Sequence, residues 1–280
     1  MKKLLIVDGS NLLFQMFYGM PARILNKDGK PIHGTLGFVG ALLKILRKVR
    51  PTHAVVFFDG EHENERTEID SEYKGNRIDY SELPKEETPF CQLPDIYASL
   101  AHLRIPFWET TDCETDDLIA AYCKRYGGET EIVISSFDSD FFQLITDTVS
   151  VLRYRGEKTQ LCDRAYVLEK FGVKAEQYAD FKSLTGDTAD NVKGAPKIGP
   201  KTAAALVNEF GSLDEILENT ARITRACIRA SIENSRERLE KNRRLIRLDG
   251  CANIPFTLET LTFSDSGETT TEILTKLGIK

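Results

Sequence analysis

Nine carboxylates in five groups dominate the chemistry available to this chain: Asp8, Asp59, the run Glu114-Thr115-Asp116-Asp117, the pair Asp138 and Asp140, and the pair Asp187 and Asp190. Four of the groups follow or accompany a short apolar segment, so a fold that aligned those segments would bring the acids together. Carboxylates that close repel one another in a dry pocket and cannot all stay ionised unless a cation neutralises them. Oxygen-only donors suit hard divalent ions, Mg²⁺ or Mn²⁺. Two such ions would make a phosphoryl-transfer centre. Singly, each acid has a plainer reading. An isolated D-x-D recurs by chance and in some glycosyltransferases and phosphatases, and acids on a first helical turn, as at Glu114 to Asp117, are favoured by the helix macrodipole. Only the five groups in company carry the metal reading.

The segments that must position them are legible. Residues 4–7 and 54–58 are continuous apolar runs, each ending at an Asp, and 132–134 is a third, followed by Ser135-Ser136-Phe137-Asp138. Continuous rather than alternating apolarity marks strands buried on both faces, as in a parallel sheet. Between them lie helical patterns. Thr35 is placed to cap a helix through Phe38, Leu42, Leu43, Ile45 and Leu46 with Pro51 beyond its end. Residues 93–103 and 115–126 also read as helices, the latter stopped by Gly127-Gly128. Strands alternating with helices predict an α/β fold with a central, mostly parallel sheet flanked by helices. Ligands of such sheets bind beyond the carboxyl ends of the strands, where Asp8, Asp59 and Asp138 would lie.

A chain of 280 residues with 41% hydrophobic residues can bury a substantial core, as one large domain or two small ones. No apolar run approaches a membrane span, and the apolar stretch after Lys2-Lys3 stops at Asp8, too short for an export signal. Six scattered cysteines without a C-x-x-C pair argue against zinc and for reduced thiols in a cytoplasmic protein. The net charge is −6. Between Lys193 and Arg247, however, twelve Lys and Arg face seven Asp and Glu, so this part could attract phosphates while the acids hold cations.

Residues 61–89 break the strand–helix rhythm as a charged, aliphatic-poor excursion directly after Asp59, the kind of segment that serves as a lid or clamp or is disordered. From about residue 165 the chain reads as helical. Within it, Gly194-Ala-Pro-Lys197-Ile198-Gly199-Pro-Lys201-Thr202 resembles a helix-hairpin-helix turn. Gly199 would let backbone approach a phosphate, and the helix opened by Lys201 and Thr202 would attract an anion at its start. Tyr73-Lys74-Gly75-Asn76-Arg77 sets an aromatic beside two cations, suited to stacking a base and holding a phosphate, or else a solvated loop. Phe14, Phe17 and Tyr18 could stack a terminal base or simply fill a core. The four histidines show no ligand spacing.

Taken in order, these motifs resemble the 5′→3′ exonuclease and flap endonuclease family, including the 5′ nuclease domain of bacterial DNA polymerase I and the free-standing bacteriophage 5′ nucleases. The segments that carry the likeness are Leu5-Ile-Val-Asp-Gly-Ser-Asn11, Val56-Phe-Phe-Asp59, Tyr73 to Arg77, Glu114 to Asp117, Asp138 to Asp140 with Gln143-Leu144, and Thr185-Gly-Asp-Thr-Ala-Asp-Asn191 running into Lys197-Ile-Gly-Pro-Lys-Thr-Ala203. Two departures stand out. Ser139 replaces the Lys common between the paired acids in polymerase-linked members, and no Pro-rich stretch follows Arg77.

The resemblance implies a PIN-like 5′ nuclease core over residues 1–165, with a helical arch at about 61–89, and a helix-hairpin-helix DNA-binding subdomain and tail over 166–280. It implies that Asp8, Asp59, Glu114 and Asp116 hold one metal, and Asp138, Asp140 and Asp187 a second, with Asp117 and Asp190 near ligands through water. Lys74 and Arg77 would face the scissile phosphate, beside Tyr73. Gly194, Lys197, Ile198, Gly199, Lys201 and Thr202 would grip duplex backbone, in this family often with a K⁺ ion on loop carbonyls. The implied enzyme uses two Mg²⁺ or Mn²⁺ ions and acts as a monomer on DNA with 5′ single-strand/duplex junctions, with RNA–DNA hybrid a further partner. No polymerase domain fits after residue 262, so a free-standing enzyme or an isolated nuclease domain is expected. Two rivals are a non-catalytic DNA-structure-binding protein, against which the intact acids argue, and a PIN-like ribonuclease, which would not need the duplex-gripping turn.

Overall fold

The computed structural model describes residues 2–60, 65–76, 78, 80, 83–250 and 253–280. In chain order its regular elements are β1 (Lys3–Asp8), α1 (Gly9–Gly19), α2 (His33–Val49), β2 (His53–Phe58), α3 (Glu65–Ile69), α4 (Leu93–His102), β3 (Phe107–Glu109), α5 (Thr115–Tyr126), β4 (Glu131–Ser135), β5 (Val149–Arg153) and β6 (Gln160–Cys162). They continue with α6 (Arg164–Phe171), α7 (Tyr178–Thr185), a two-strand hairpin of β7 (Gly186–Asp187) and β8 (Val192–Lys193), α8 (Pro200–Phe210), α9 (Leu213–Glu218), α10 (Ala226–Asn234), α11 (Arg236–Ile246) and α12 (Thr270–Lys276).

One sheet runs in the order β3-β2-β1-β4-β5-β6. β1 to β5 are parallel, and only the edge strand β6 is antiparallel. The apolar runs account for this. Every residue of β2 and all but the first of β1 are buried, and alternate side chains enter two cores. Leu4, Ile6, Val55, Phe57, Ile132 and Ile134 pack under α5 and the C-terminal helices, while Leu5, Val7, Ala54, Val56, Phe58 and Val133 pack under α1, α2, α4 and α12. Each such burial contributes roughly 1.5–3 kcal/mol relative to exposure, which sets the register firmly. With Val7 paired to Val56 on one side and to Ser135 on the other, the carboxyl ends of β1, β2 and β4 lie side by side.

The first core continues from the sheet into α8, α9, α10 and α11. The tail then turns back to the α/β half. The Phe263 N–H donates to the Thr52 carbonyl at 2.9 Å, and Ile273 and Leu274 of α12 join α2 in the second core.

Thr35 does not cap α2. The helix begins two residues earlier, at His33, with no side-chain cap from Ile32. Thr35 lies in the first turn, where its N–H donates to Oε1 of fully buried Gln92 at 2.7 Å. An orphan amide of the first turn is thus satisfied by a residue distant in sequence. The excursion after Asp59 is also less open than its charge suggested. Arg66 on α3 and Tyr73 in the following turn are both 6% exposed, and Tyr73 packs with Ile69, Ala179, Val192, Leu245 and Ile246.

Candidate active site

Asp8 ends β1 and caps α1. Its Oδ1 accepts the Asn11 N–H at 2.9 Å and its Oδ2 accepts the Ser136 hydroxyl at 2.8 Å. Ser136, just past β4, also accepts the Asp138 N–H at 3.0 Å, and Asp138 Oδ1 accepts the Asp140 N–H at 2.8 Å. Asn11 Oδ1 takes the Phe137 N–H at 3.1 Å. The β4 loop is therefore tied to the start of α1, which fixes Asp8 and Asp138 relative to each other.

Asp59, past the end of β2, accepts the Thr115 N–H at 3.0 Å. It thereby serves α5 as the capping acceptor, while Glu114, at the N-cap position, makes no cap bond of its own. Glu114 meets two cations instead. Arg66 pairs with its Oε2, and Lys74 Nζ lies 2.5 Å from its Oε1. The other arm of Arg66 reaches Asp117 Oδ1 at 2.8 Å.

A second group forms where α7 and the β7–β8 hairpin face the β4 loop. Asp140, Asp187 and Asp190 each bring a carboxylate oxygen within 4.8 Å of the others. Lys182 of α7 pairs with Asp140 and lies 2.5 Å from Asp187 Oδ2. Gln143 secures this corner by donating to the Asp140 carbonyl at 2.9 Å and to the Ile246 carbonyl at 3.0 Å.

The electrostatics join the two groups. Burial pushes the Asp8 carboxyl up to about 7, with Asp59 and Asp138 adding to the effect. Burial also pushes Asp140 up to about 7 against the opposing pull of Lys182. Asp116 is raised well above its ordinary value by burial, then by Asp138, with Asp8 and Glu114 contributing. Carboxylates raised by burial and by one another are a site short of positive charge. A purely oxygen donor set of this kind fits hard divalent ions.

The nine sequence-selected acids thus form one connected field: Asp59 and Asp138 act on Asp8, Asp138 and Asp8 on Asp116, and Asp138 on Asp140, while Glu114 and Asp117 share Arg66 and Asp140, Asp187 and Asp190 cluster. Lys74 reaches the site from a left-handed backbone conformation (φ 56°), its N–H donating to the Asp190 carbonyl at 3.0 Å. Asn76 Nδ2 to the Thr188 carbonyl (3.1 Å) and Asn191 Nδ2 to the Glu72 carbonyl (2.9 Å) stitch the same turn to the hairpin. Arg77 lies outside the described residues.

One expectation is corrected. Tyr73 does not present its ring for base stacking, because the ring is buried in a small apolar cluster. Ile198 is 5% exposed and its side chain belongs to the main core. Gly199 has an ordinary extended backbone (φ −89°) with nothing within 4 Å of where a Cβ would sit, so neither strain nor crowding within the chain requires glycine there. The glycine forced by the fold is Gly194, whose Cβ would meet Thr185 backbone at 2.3 Å. Lys197 and Lys201 are exposed and Thr202 is half-buried at the start of α8. Phe17 is buried, while Tyr18 is 55% exposed.

Arg66, Lys182 and Ser136 were missed in the sequence. Lys182 had a signal, a lysine flanked by Phe181 and by Ser183-Leu184 in a helix with little polar surface; Arg66 sat unmarked in a charged stretch.

A mostly parallel sheet that gathers carboxylates at its strand ends beside a helical unit fits the class of metal-dependent phosphoryl-transfer proteins. Family models agree: residues 3–172 match that of the 5′-3′ exonuclease N-terminal resolvase-like domain, and residues 173–269 that of the 5′-3′ exonuclease C-terminal SAM fold. The chain belongs to the 5′-3′ exonuclease family, whose members are hydrolases acting on DNA. It is 33% identical over 250 residues to a 5′-3′ exonuclease of Aquifex aeolicus, covering 89% of this chain and 82% of that one. It is 36% identical over 253 residues to DNA polymerase I of Rhizobium leguminosarum, covering 88% of this chain but only 24% of the polymerase, so it spans about a quarter of that relative. Among solved structures, the bacteriophage T5 D15 protein crystallised with metal ions superposes with a TM-score of 0.73 at 26% identity, over 88% of this chain and 90% of that one. The catalytic core of Rad2 shares the fold alone, with a TM-score of 0.60 at 17% identity over 99% and 93% of the two chains.

Proposed function

We propose that this chain is a divalent-metal-dependent 5′ nuclease that hydrolyses phosphodiesters in DNA bearing 5′ flaps, overhangs or nicks. The observation that carries this reading is the gathering of nine acids from the carboxyl ends of β1, β2 and β4, the start of α5 and the β7–β8 hairpin, with Lys74 paired to Glu114 among them. In this reading Asp8, Asp59, Glu114 and Asp116 would hold one ion, and Asp138, Asp140 and Asp187 a second, with Asp117 and Asp190 acting through water. Mg²⁺ or Mn²⁺ bound there would lower the pKa of water and neutralise charge on the transferring phosphate.

The chain's own groups do the positioning. Asp59 fixes the start of α5 and so aims Glu114 and Asp116 inward. Ser136 and Asn11 hold the loop that carries Asp138. The Lys74 ammonium, on a turn anchored to the hairpin, would take a phosphate oxygen of the scissile bond; Arg77 is assigned the same duty by family resemblance. Water adds to phosphorus, the bond to the 3′ oxygen breaks, and the products are a 5′-phosphate and a 3′-hydroxyl. Exposed Lys197 and Lys201, with the backbone at Gly194, Ile198 and Gly199 and the Thr202 side chain, would hold duplex phosphates, with K⁺ on the loop carbonyls.

The core over 1–165 would do the chemistry and the helical part from 166 would grip duplex. The enzyme would act as a monomer in the cytoplasm; among the described residues five cysteines are free and no helix is long and apolar enough to cross a membrane. Cleavage of 5′-flap, nicked, single-stranded and RNA-flap substrates with and without Mg²⁺ tests the whole reading. Flap cleavage that needs Mg²⁺ is expected. Binding to flaps without cleavage under any divalent ion would make it a DNA-structure-binding protein, and preference for single-stranded RNA would make it a ribonuclease.

A further inference from the structure

Lys182 lies inside the acid site, yet the proposed reaction gives it no task. It stands on α7 between buried Phe181 and Ser183 and is itself 6% exposed. Its ammonium contacts Asp140 and, at 2.5 Å, Asp187. These are two of the three acids whose oxygens gather within 4.8 Å. A buried lysine against assembled carboxylates is already doing what a bound cation would do.

We propose that Lys182 is a resident counter-ion of the Asp140–Asp187–Asp190 group, which keeps these acids assembled before a divalent ion arrives and loosens the hold on that ion once it is there. The inference rests on reading this group as an ion site. The ammonium offsets one unit of the negative charge that Asp140, Asp187 and their neighbours bring to the ion and would otherwise present to the substrate phosphate. Lys182 would thus exchange some affinity for the ion against a less negative surface for the DNA. A merely structural salt bridge makes a different forecast, because its loss should weaken the fold whether or not an ion is present.

The test uses the full chain without DNA, and Ca²⁺ as the probe ion. Calorimetric titration should show Lys182→Met binding Ca²⁺ at this position at least about fivefold more tightly than wild type, the effect of one unit charge at contact distance even in a water-like dielectric. Its Tm should fall in EDTA and recover most of the loss in saturating Ca²⁺, while Lys182→Arg stays close to wild type. Equal Tm losses in both buffers, with Ca²⁺ affinity unchanged or weaker, would overturn the proposal. If Lys182→Met does not fold, the wild type decides. The Lys182 ¹⁵Nζ resonance, assigned by its loss in Lys182→Arg, should move on Ca²⁺ saturation, and an unmoved resonance overturns the proposal. Failure of wild type to bind Ca²⁺, Mg²⁺ or Mn²⁺ at all would instead strike the ion-site reading beneath it.

Discussion

Lys74 Nζ lies 2.5 Å from Oε1 of Glu114, so the cation assigned to the substrate phosphate is engaged, without DNA, by an acid assigned to the ion. In the proposed reading ion and phosphate binding would be linked: a divalent ion drawn to Glu114 would weaken that carboxylate's hold on Lys74 and would turn the ammonium toward a phosphate. The left-handed backbone of Lys74 and its N–H bond to the Asp190 carbonyl keep the base of the side chain in place during the exchange.

Lys74→Ala should lower the single-turnover cleavage rate about tenfold or more while leaving duplex affinity little changed, because the lost charge acts mainly where negative charge develops. Rapid-quench kinetics and a binding titration in Ca²⁺ separate the two quantities. Collapse of binding with an untouched rate would reduce Lys74 to a positioning contact.

Arg66→Met should destabilise the ion-free fold by about 3–5 kcal/mol, the usual cost of removing one partner from a buried ion pair. Arg66 and Glu114 are 8% and 9% exposed in their side chains, and Asp117 loses the same partner. Urea unfolding should show part of the loss restored by a divalent ion, which takes over the work on Glu114. A loss of similar size with and without the ion would tie Arg66 to the fold alone.

Much of this was legible in the residues. The runs at 4–7, 54–58 and 132–134 became neighbouring parallel strands because continuous apolarity only suits a sheet covered on both faces, and their terminal acids followed. What escaped was long-range pairing. Nothing local separates Arg66 from a solvated cation until the fold sets Glu114 against it, and the neighbours of Lys182 hint at burial without naming Asp140 as its partner. Thr35 misled because capping is ordinarily local, whereas here Gln92 supplies the acceptor from another segment. Tyr73 misled because a charged stretch hid the apolar wall formed by Ala179, Val192, Leu245 and Ile246.

The stability of the ion-free protein should fall as pH rises. Burial lifts the Asp8 and Asp140 carboxyls from 3.8 to about 7, so the folded state holds their protons more tightly than the unfolded chain does. That contribution is fully present below the unfolded value and is lost as pH climbs through about 7. In EDTA, the Tm of Asp8→Asn, which keeps a capping side chain without the charge, should gain on wild type between about pH 5 and about pH 8. Saturating Mg²⁺ should shrink the gap. A gap independent of pH would contradict the assignment.

Gly199→Val should fold normally, since a Cβ there meets open space, yet weaken binding to duplex-bearing substrates regardless of sequence, since phosphate contacts carry no sequence information. Lys201→Ala should weaken binding too and reduce the log–log salt slope by about one contact. Cleavage of a short single strand, which cannot use the turn, should suffer much less. Equal losses on single strands and flapped duplex would show that the turn is not a duplex grip.

The central claim is that the assembled acids hold the ions that cut DNA, and it is tested most directly by single-turnover cleavage of a labelled 5′-flap duplex titrated with Mg²⁺, for wild type and for Asp138→Ala with Asp140→Ala. The account predicts no cleavage by wild type in EDTA, a steep rise with Mg²⁺, and no recovery of rate by the double variant at any Mg²⁺ concentration although it still binds the flap. Cleavage by wild type that persists in EDTA, or full activity in the double variant, would contradict it.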